Sequence, residues 1–170
     1  RPRSLPGMET DGEMIWNYKH AMTPGDMPNS ILVIGSGAIG IEFASFYHSL
    51  GVDVTVVEVL PNILPAEDEE ISILAQKIFE KDGMKILTSS SLKSLKKSTE
   101  NVTALIENEK NIKEIIVDRV IMAVGISGNH EQLGLENTQI KVDKNHVVVD
   151  EWCKTDEPGV YAIGDLAGPP

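Results

Sequence analysis

Three glycines spaced G-x-G-x-x-G stand at Gly35, Gly37 and Gly40, directly after the apolar run Ile31-Leu32-Val33-Ile34. Each has a separate job in a turn that receives a diphosphate. Gly35 permits the sharp exit from a strand. Gly37 lets the backbone approach a pyrophosphate with no Cβ between them, and Gly40 lets a helix pack close to the strand. The helix that begins there aims free N–H groups and about half a positive charge at the phosphates. The same spacing also suits a tight strand–helix turn that binds nothing. The reading turns toward a dinucleotide because an acid, Glu58, ends the next apolar run. At the tip of a second strand it would accept hydrogen bonds from an adenosine ribose.

Glu58 also bears on which dinucleotide fits. A hydrogen bond from a ribose hydroxyl to a carboxylate is worth about 1.5–3 kcal/mol. Against a 2′-phosphate, like charges about 4 Å apart cost roughly 1–4 kcal/mol per unit charge. Val59, Leu60 and Pro61 follow and offer no cationic clamp. NAD is therefore expected over NADP.

These residues need a scaffold, and the apolar periodicity supplies one. Residues 1–28 read as a lead-in with one short helical turn near 15–21, and 30–34 as a buried strand. A helix is expected over 38–50, with Ala38, Ile41 and Ala44 on one face and Gly51 as its stop. A second strand covers 52–58 and a third 84–87. Between them, 68–81 forms an amphipathic helix with Ile71, Leu74, Ala75, Ile78 and Phe79 on one stripe. Its acidic start suits the positive helix end, and Gly83 stops it. The texture then changes. Segments 92–97, 102–107 and 112–117 partly alternate, which predicts a three-stranded antiparallel ribbon, and 119–124 returns to an apolar run ending at Gly125. A smaller unit follows, with extended pieces expected over 142–150 and 160–163. The expected class is α/β: a Rossmann-like parallel sheet with flanking helices and a three-stranded antiparallel ribbon, plus part of a following central domain.

A net charge of −11 argues against nucleic acid and anionic membrane surfaces as partners. No apolar run approaches the roughly 20 residues of a membrane span, and the first residues carry no apolar signal core. The single cysteine, Cys153, allows no internal disulfide, which fits a reducing compartment. His20, His48, His130 and His146 lack metal-ligand spacing, and Trp16 and Trp152 read as packing residues or equally as cover for a flavin-facing side. The start at Arg1, without Met, looks cut.

The run Ile34-Gly35-Ser36-Gly37-Ala38-Ile39-Gly40-Ile41-Glu42, followed by Gly51-Val52-Asp53-Val54-Thr55-Val56-Val57-Glu58, resembles the NAD domain of the dihydrolipoamide dehydrogenase family. Leu64-Pro65 and the helix after Asp68 do so too. The stretch Thr155-Asp156-Glu157-Pro158-Gly159-Val160-Tyr161-Ala162-Ile163-Gly164-Asp165 resembles the second flavin-contacting motif of the two-dinucleotide-binding flavoproteins. The resemblance implies that Gly35, Gly37, Ile39 and Gly40 hold the NAD pyrophosphate and Glu58 its ribose, with Ser36, Ala38 and Val59 also among the cofactor-binding residues. It puts Glu42 near the junction of nicotinamide and flavin, Leu92 near the adenine and Gly125 toward the nicotinamide. Gly164 and Asp165 would contact FAD, Asp165 accepting from the ribityl chain.

By the same resemblance, 1–28 leads in from an FAD domain, 29–126 binds NAD, and 127–170 belongs to a central domain. The family's pair of redox cysteines, first flavin motif and interface domain are not in this sequence. An Arg-x-Pro that many relatives carry is replaced by Ile126-Ser127-Gly128-Asn129. The implied partners are NAD(H), the FAD and interface domains, and lipoyl domains of 2-oxo acid dehydrogenase complexes. The parent is expected to be a homodimer of the bacterial cytoplasm or mitochondrial matrix. A disulfide reductase of the glutathione or mercuric type and a non-catalytic NAD-sensing module are the rival readings. A methyltransferase fits less well, because its glycine loop lacks the third glycine.

Overall fold

The computed structural model describes residues 1–168 and divides into two compact units. One is Ser4–Gly125; the other joins Arg1–Arg3 to the chain from Ile126 onward.

The larger unit begins with strand β1 (Ile15–Trp16) and helix α1 (Tyr18–Met22). It continues through β2 (Ser30–Ile34), α2 (Ala38–Ser49), β3 (Asp53–Val57), α3 (Glu69–Lys81) and β4 (Lys85–Leu87). Three antiparallel strands follow, β5 (Ser90–Lys97), β6 (Val102–Asn108) and β7 (Ile112–Val117), before β8 (Arg119–Met122). The main sheet runs β1-β8-β2-β3-β4 and every pairing in it is parallel. Strand β2 is central and covered on both faces, which is why it reads as an unbroken apolar run. Ile31, Val33, Val54 and Val56 pack under the helices with Ala44 and Tyr47. Leu32, Ile34, Val57 and Val120 pack against the ribbon through Val102, Ala104 and Ile106.

Two expectations are corrected here. Residues Ile15 and Trp16 form a strand, not a helical turn; they pair with Val120 and Ile121, and both side chains are buried. Sheet pairing outweighs the local helical tendency, which is confined to the following turn and capped by Asn17. In α3 the five-residue stripe does not face the core. Ile71, Leu74 and Ile78 are exposed, while Ala75 and Phe79 pack inward beside buried Ser72. Ser72 Oγ donates to the Leu64 carbonyl, so a small polar residue occupies the close contact.

Among the described residues the smaller unit has one hairpin, β9 (Val142–Asp143) with β10 (His146–Val147), turning through Lys144 and Asn145 at φ 46° and 68°. Short 3-10 turns lie at Leu135–Asn137 and Gly164–Leu166. The extended piece expected over 142–150 is therefore a tight hairpin plus irregular chain, and 160–163 contributes only an isolated bridge from Tyr161 to Lys154.

Candidate dinucleotide site

The glycine loop leaves β2 at Gly35, where φ is 96° and the N–H donates to Val57 O at 2.9 Å. A Cβ on Gly35 would strike the Ala123 carbonyl, and one on Gly40 would strike the Gly35 carbonyl. Chain packing alone accounts for these two glycines. Gly37 is different. Its φ of −63° and ψ of 178° suit any residue, and a Cβ there would meet nothing within 4 Å. The open space above it is what a close-approaching pyrophosphate requires. Gly37 is also the N-cap of α2, and no side chain caps that end, so the first-turn N–H groups have no side-chain acceptor there. Ala38 is exposed, Ile39 half-buried and Gly40 buried.

Glu58 follows β3 and turns toward this loop. Its carboxylate Oε2 accepts from Ser36 N at 2.9 Å and from Ser36 Oγ at 2.7 Å, and Oε1 accepts from Leu60 N at 2.9 Å. Ser36 is fully buried and Glu58 is 6% exposed. Leu64 N donates back to Ser36 O at 2.9 Å, so the glycine loop and the segment after β3 are fastened together. A carboxylate offers about four acceptor positions. Three are filled from the chain, which leaves one on Oε1.

Beside Val59 lies a pocket of about 440 Å³, lined by Ser89, Ser90, Ser91, Glu107, Asn108 and Glu109 as well. Ser90 N donates to Glu58 O and Ser89 N to Leu60 O, each at 2.9 Å, tying the serine run to the Glu58 loop. Leu92 does not line this pocket; its side chain packs in the core beneath the ribbon. The serines were missed from sequence, although a polar run at the end of a parallel strand is a place where α/β sheets bind ligands. Val59 is 66% exposed. Glu42 is exposed on α2, and Gly125 is exposed with φ 99°.

Gly164 and Asp165 belong to the smaller unit. They line a cleft of about 1170 Å³ with His146, Asp150 and Cys153. Both are exposed, and Asp165 O is 3.0 Å from His146 Nδ1. An open carboxylate in a cleft wall fits a polyhydroxyl ligand. Trp16 is buried as expected of a packing residue, whereas Trp152 is 75% exposed. Among the described residues, no group of His, Cys, Asp and Glu is arranged to hold a metal ion, and no helix is long and apolar enough to cross a membrane.

Comparison with known proteins shows the family of the chain. The family model for pyridine nucleotide-disulphide oxidoreductase matches residues 1–170. The chain is 53% identical to a dihydrolipoyl dehydrogenase from Rhizobium etli, covering 100% of this chain and 36% of that protein. Against a dihydrolipoyl dehydrogenase from Zymomonas mobilis it is 46% identical, covering 100% and 37%. The crystal structure of LpdA from Mycobacterium tuberculosis superposes with a TM-score of 0.86 at 30% identity, over 98% of this chain and 36% of that one. The chain thus spans little more than a third of its curated relatives' length. With the glycine loop, Glu58 and the parallel sheet in agreement with a full-length match, the chain belongs to the pyridine nucleotide-disulphide oxidoreductase family.

Proposed function

We propose that this chain is the NAD-binding part of a dihydrolipoyl dehydrogenase, with residues 29–126 as the NAD domain. Residues 1–28 would lead in from an FAD domain, and in this chain they add β1 and α1 to the larger unit. Residues 127–170 would belong to a central domain. The observation that carries the reading is the open Gly37 beside a Glu58 carboxylate held toward it.

In this reading Gly37 and the uncapped N–H groups of Ala38 and Ile39 take the pyrophosphate, while Gly35 and Gly40 keep strand and helix close enough to form the cradle. Glu58 takes the adenosine ribose, and Val59 with Ser89–Ser91 borders the adenine. Leu92 then supports the adenine side through packing. Gly125 and Glu42 face the nicotinamide end, and Gly164 and Asp165 hold FAD. Bound FAD supplies a two-electron relay between a cysteine disulfide and NAD+. This chain has one cysteine, so the disulfide would come from elsewhere in a protein of the relatives' length. The substrates would be dihydrolipoyl groups on lipoyl domains of 2-oxo acid dehydrogenase complexes, each losing two electrons and two protons. NAD+ would accept a hydride, with the other proton released. Bacterial relatives favour the cytoplasm over the mitochondrial matrix, and a homodimer is the expected parent state.

The solved structure of an HOCl-induced flavoprotein disulfide reductase from Escherichia coli also superposes, with a TM-score of 0.83 at 25% identity, so another disulfide reductase is the second reading. Calorimetric titration of the chain with NADH, NADPH and FAD separates the two. NADH is expected to bind at least tenfold more tightly than NADPH, about 1.4 kcal/mol or more. Preference for NADPH overturns the dehydrogenase reading, and failure to bind either dinucleotide overturns the site.

A further inference from the structure

Ser36 sits inside the glycine motif, yet its side chain does not open onto the loop. The hydroxyl is fully buried and donates at 2.7 Å to Glu58 Oε2, and the N–H of the same residue donates to the same oxygen at 2.9 Å. Leu60 N holds Oε1 at 2.9 Å. A glutamate side chain has several rotatable bonds that must be ordered when it grips a ligand. Here they are ordered beforehand, by two donors of the loop that would receive the pyrophosphate and by Leu60 N from the segment after β3. Bonds to an ionised acceptor are the strong kind, and the 6% exposure of Glu58 keeps water from competing for it.

We infer that Ser36 is a positioning residue for dinucleotide selection: it clamps Glu58 Oε2 and so reserves the remaining acceptor position on Oε1 for a ribose hydroxyl. This rests on the dinucleotide reading of the site. Ser36 then touches no part of the ligand with its side chain and acts through Glu58 alone. A clamped carboxylate also cannot swing away from a 2′-phosphate, so Ser36 sharpens the choice of NADH over NADPH as well as the affinity.

The test is a double-mutant cycle of Ser36→Ala and Glu58→Ala, read as Kd for NADH and NADPH on the folded 170-residue chain, with folding checked by circular dichroism. Ser36→Ala alone is expected to weaken NADH binding about tenfold and to narrow the NADH/NADPH ratio. In the Glu58→Ala background the same change is expected to alter NADH binding by about twofold at most. An equal loss in both backgrounds means direct ligand contact or general damage and overturns the inference, as does no loss in either. If wild type fails to bind NADH, the site reading falls and takes the inference with it; if wild type binds but the cycle shows no coupling, only the inference falls. Should Ser36→Ala not fold, Ser36→Cys keeps the shape with a much weaker donor and serves in its place.

Discussion

Gly37 and Gly40 belong to one motif and should fail for opposite reasons when given a side chain. A Cβ at Gly40 meets the Gly35 carbonyl, so backbone must move. Gly40→Ala is expected to cost roughly 1–3 kcal/mol, lowering Tm by several degrees. Gly37→Val adds its side chain to open space at an unstrained φ, so Tm should stay within about 2 °C of wild type. NADH affinity should nonetheless fall at least tenfold, because the branched side chain fills the volume a pyrophosphate would use. Thermal melts and titrations of both variants check this. A Gly37→Val chain that binds NADH normally would remove the phosphate role from the loop. The sequence pattern could name all three glycines, but not which of them packing already explains. That distinction depends on Ala123 and the Gly35 carbonyl, which only the fold brings near.

At the scale of elements, the β2–α2–β3 core was legible because its signals agree: a continuous apolar run, a glycine turn, a helical period and a second run ended by an acid. The ribbon was legible from its alternation. Helix α3 was half legible. Its extent and acidic start follow from sequence, but apolar residues at Ile71, Ile73, Leu74 and Ile78 lie on more than one side, so periodicity could not choose the inward face. Strand β1 was hidden for a related reason: a two-residue strand has no period, and its partner β8 is distant in sequence. A carboxylate fixes its approach. Asp11 Oδ1 accepts from Glu13 N, Met14 N and Ile15 N, and Oδ2 accepts from Lys97 Nζ on β5 at 2.8 Å. Burial works against the charge, but the Lys97 bond and the N–H groups of Ile15, Glu13 and Met14 outweigh it and hold the carboxyl at about 2. Its ordinary value is 3.8, so the stabilisation is complete above that pH and is lost as pH falls through about 2. Asp11→Asn should therefore lower Tm by about 2–4 °C at pH 7, with the gap to wild type closing between about pH 4 and pH 2. A gap that stays constant across that window would show that charge on Asp11 contributes nothing.

For the molecule as a whole, the two units differ in kind. In Ser4–Gly125 the central strands are paired on both sides and covered by helices on one face and ribbon on the other. From Ile126 onward the regular structure among the described residues is a six-residue hairpin and two short turns, and Trp152 and Ile163 are 75% and 74% exposed. The β-branched run Val147-Val148-Val149 promised a longer strand, but among the described residues only Val147 of it pairs, within the β9–β10 hairpin. Local opening free energy follows buried apolar contact and paired backbone, so amides of the two units should exchange on different timescales. In hydrogen exchange followed by mass spectrometry, peptides covering β2, β3 and β8 should be the last to take up deuterium. Peptides from the Ile126 side should exchange at least tenfold faster, about 1.4 kcal/mol less protected. Limited proteolysis should first cut after Gly125 and leave a resistant core that still binds NADH, because every residue of the cradle lies before that point. Uniform exchange across the chain would mean that the smaller unit is held by the larger one as a single cooperative body. Loss of NADH binding on trimming would mean that the cradle needs residues beyond Gly125.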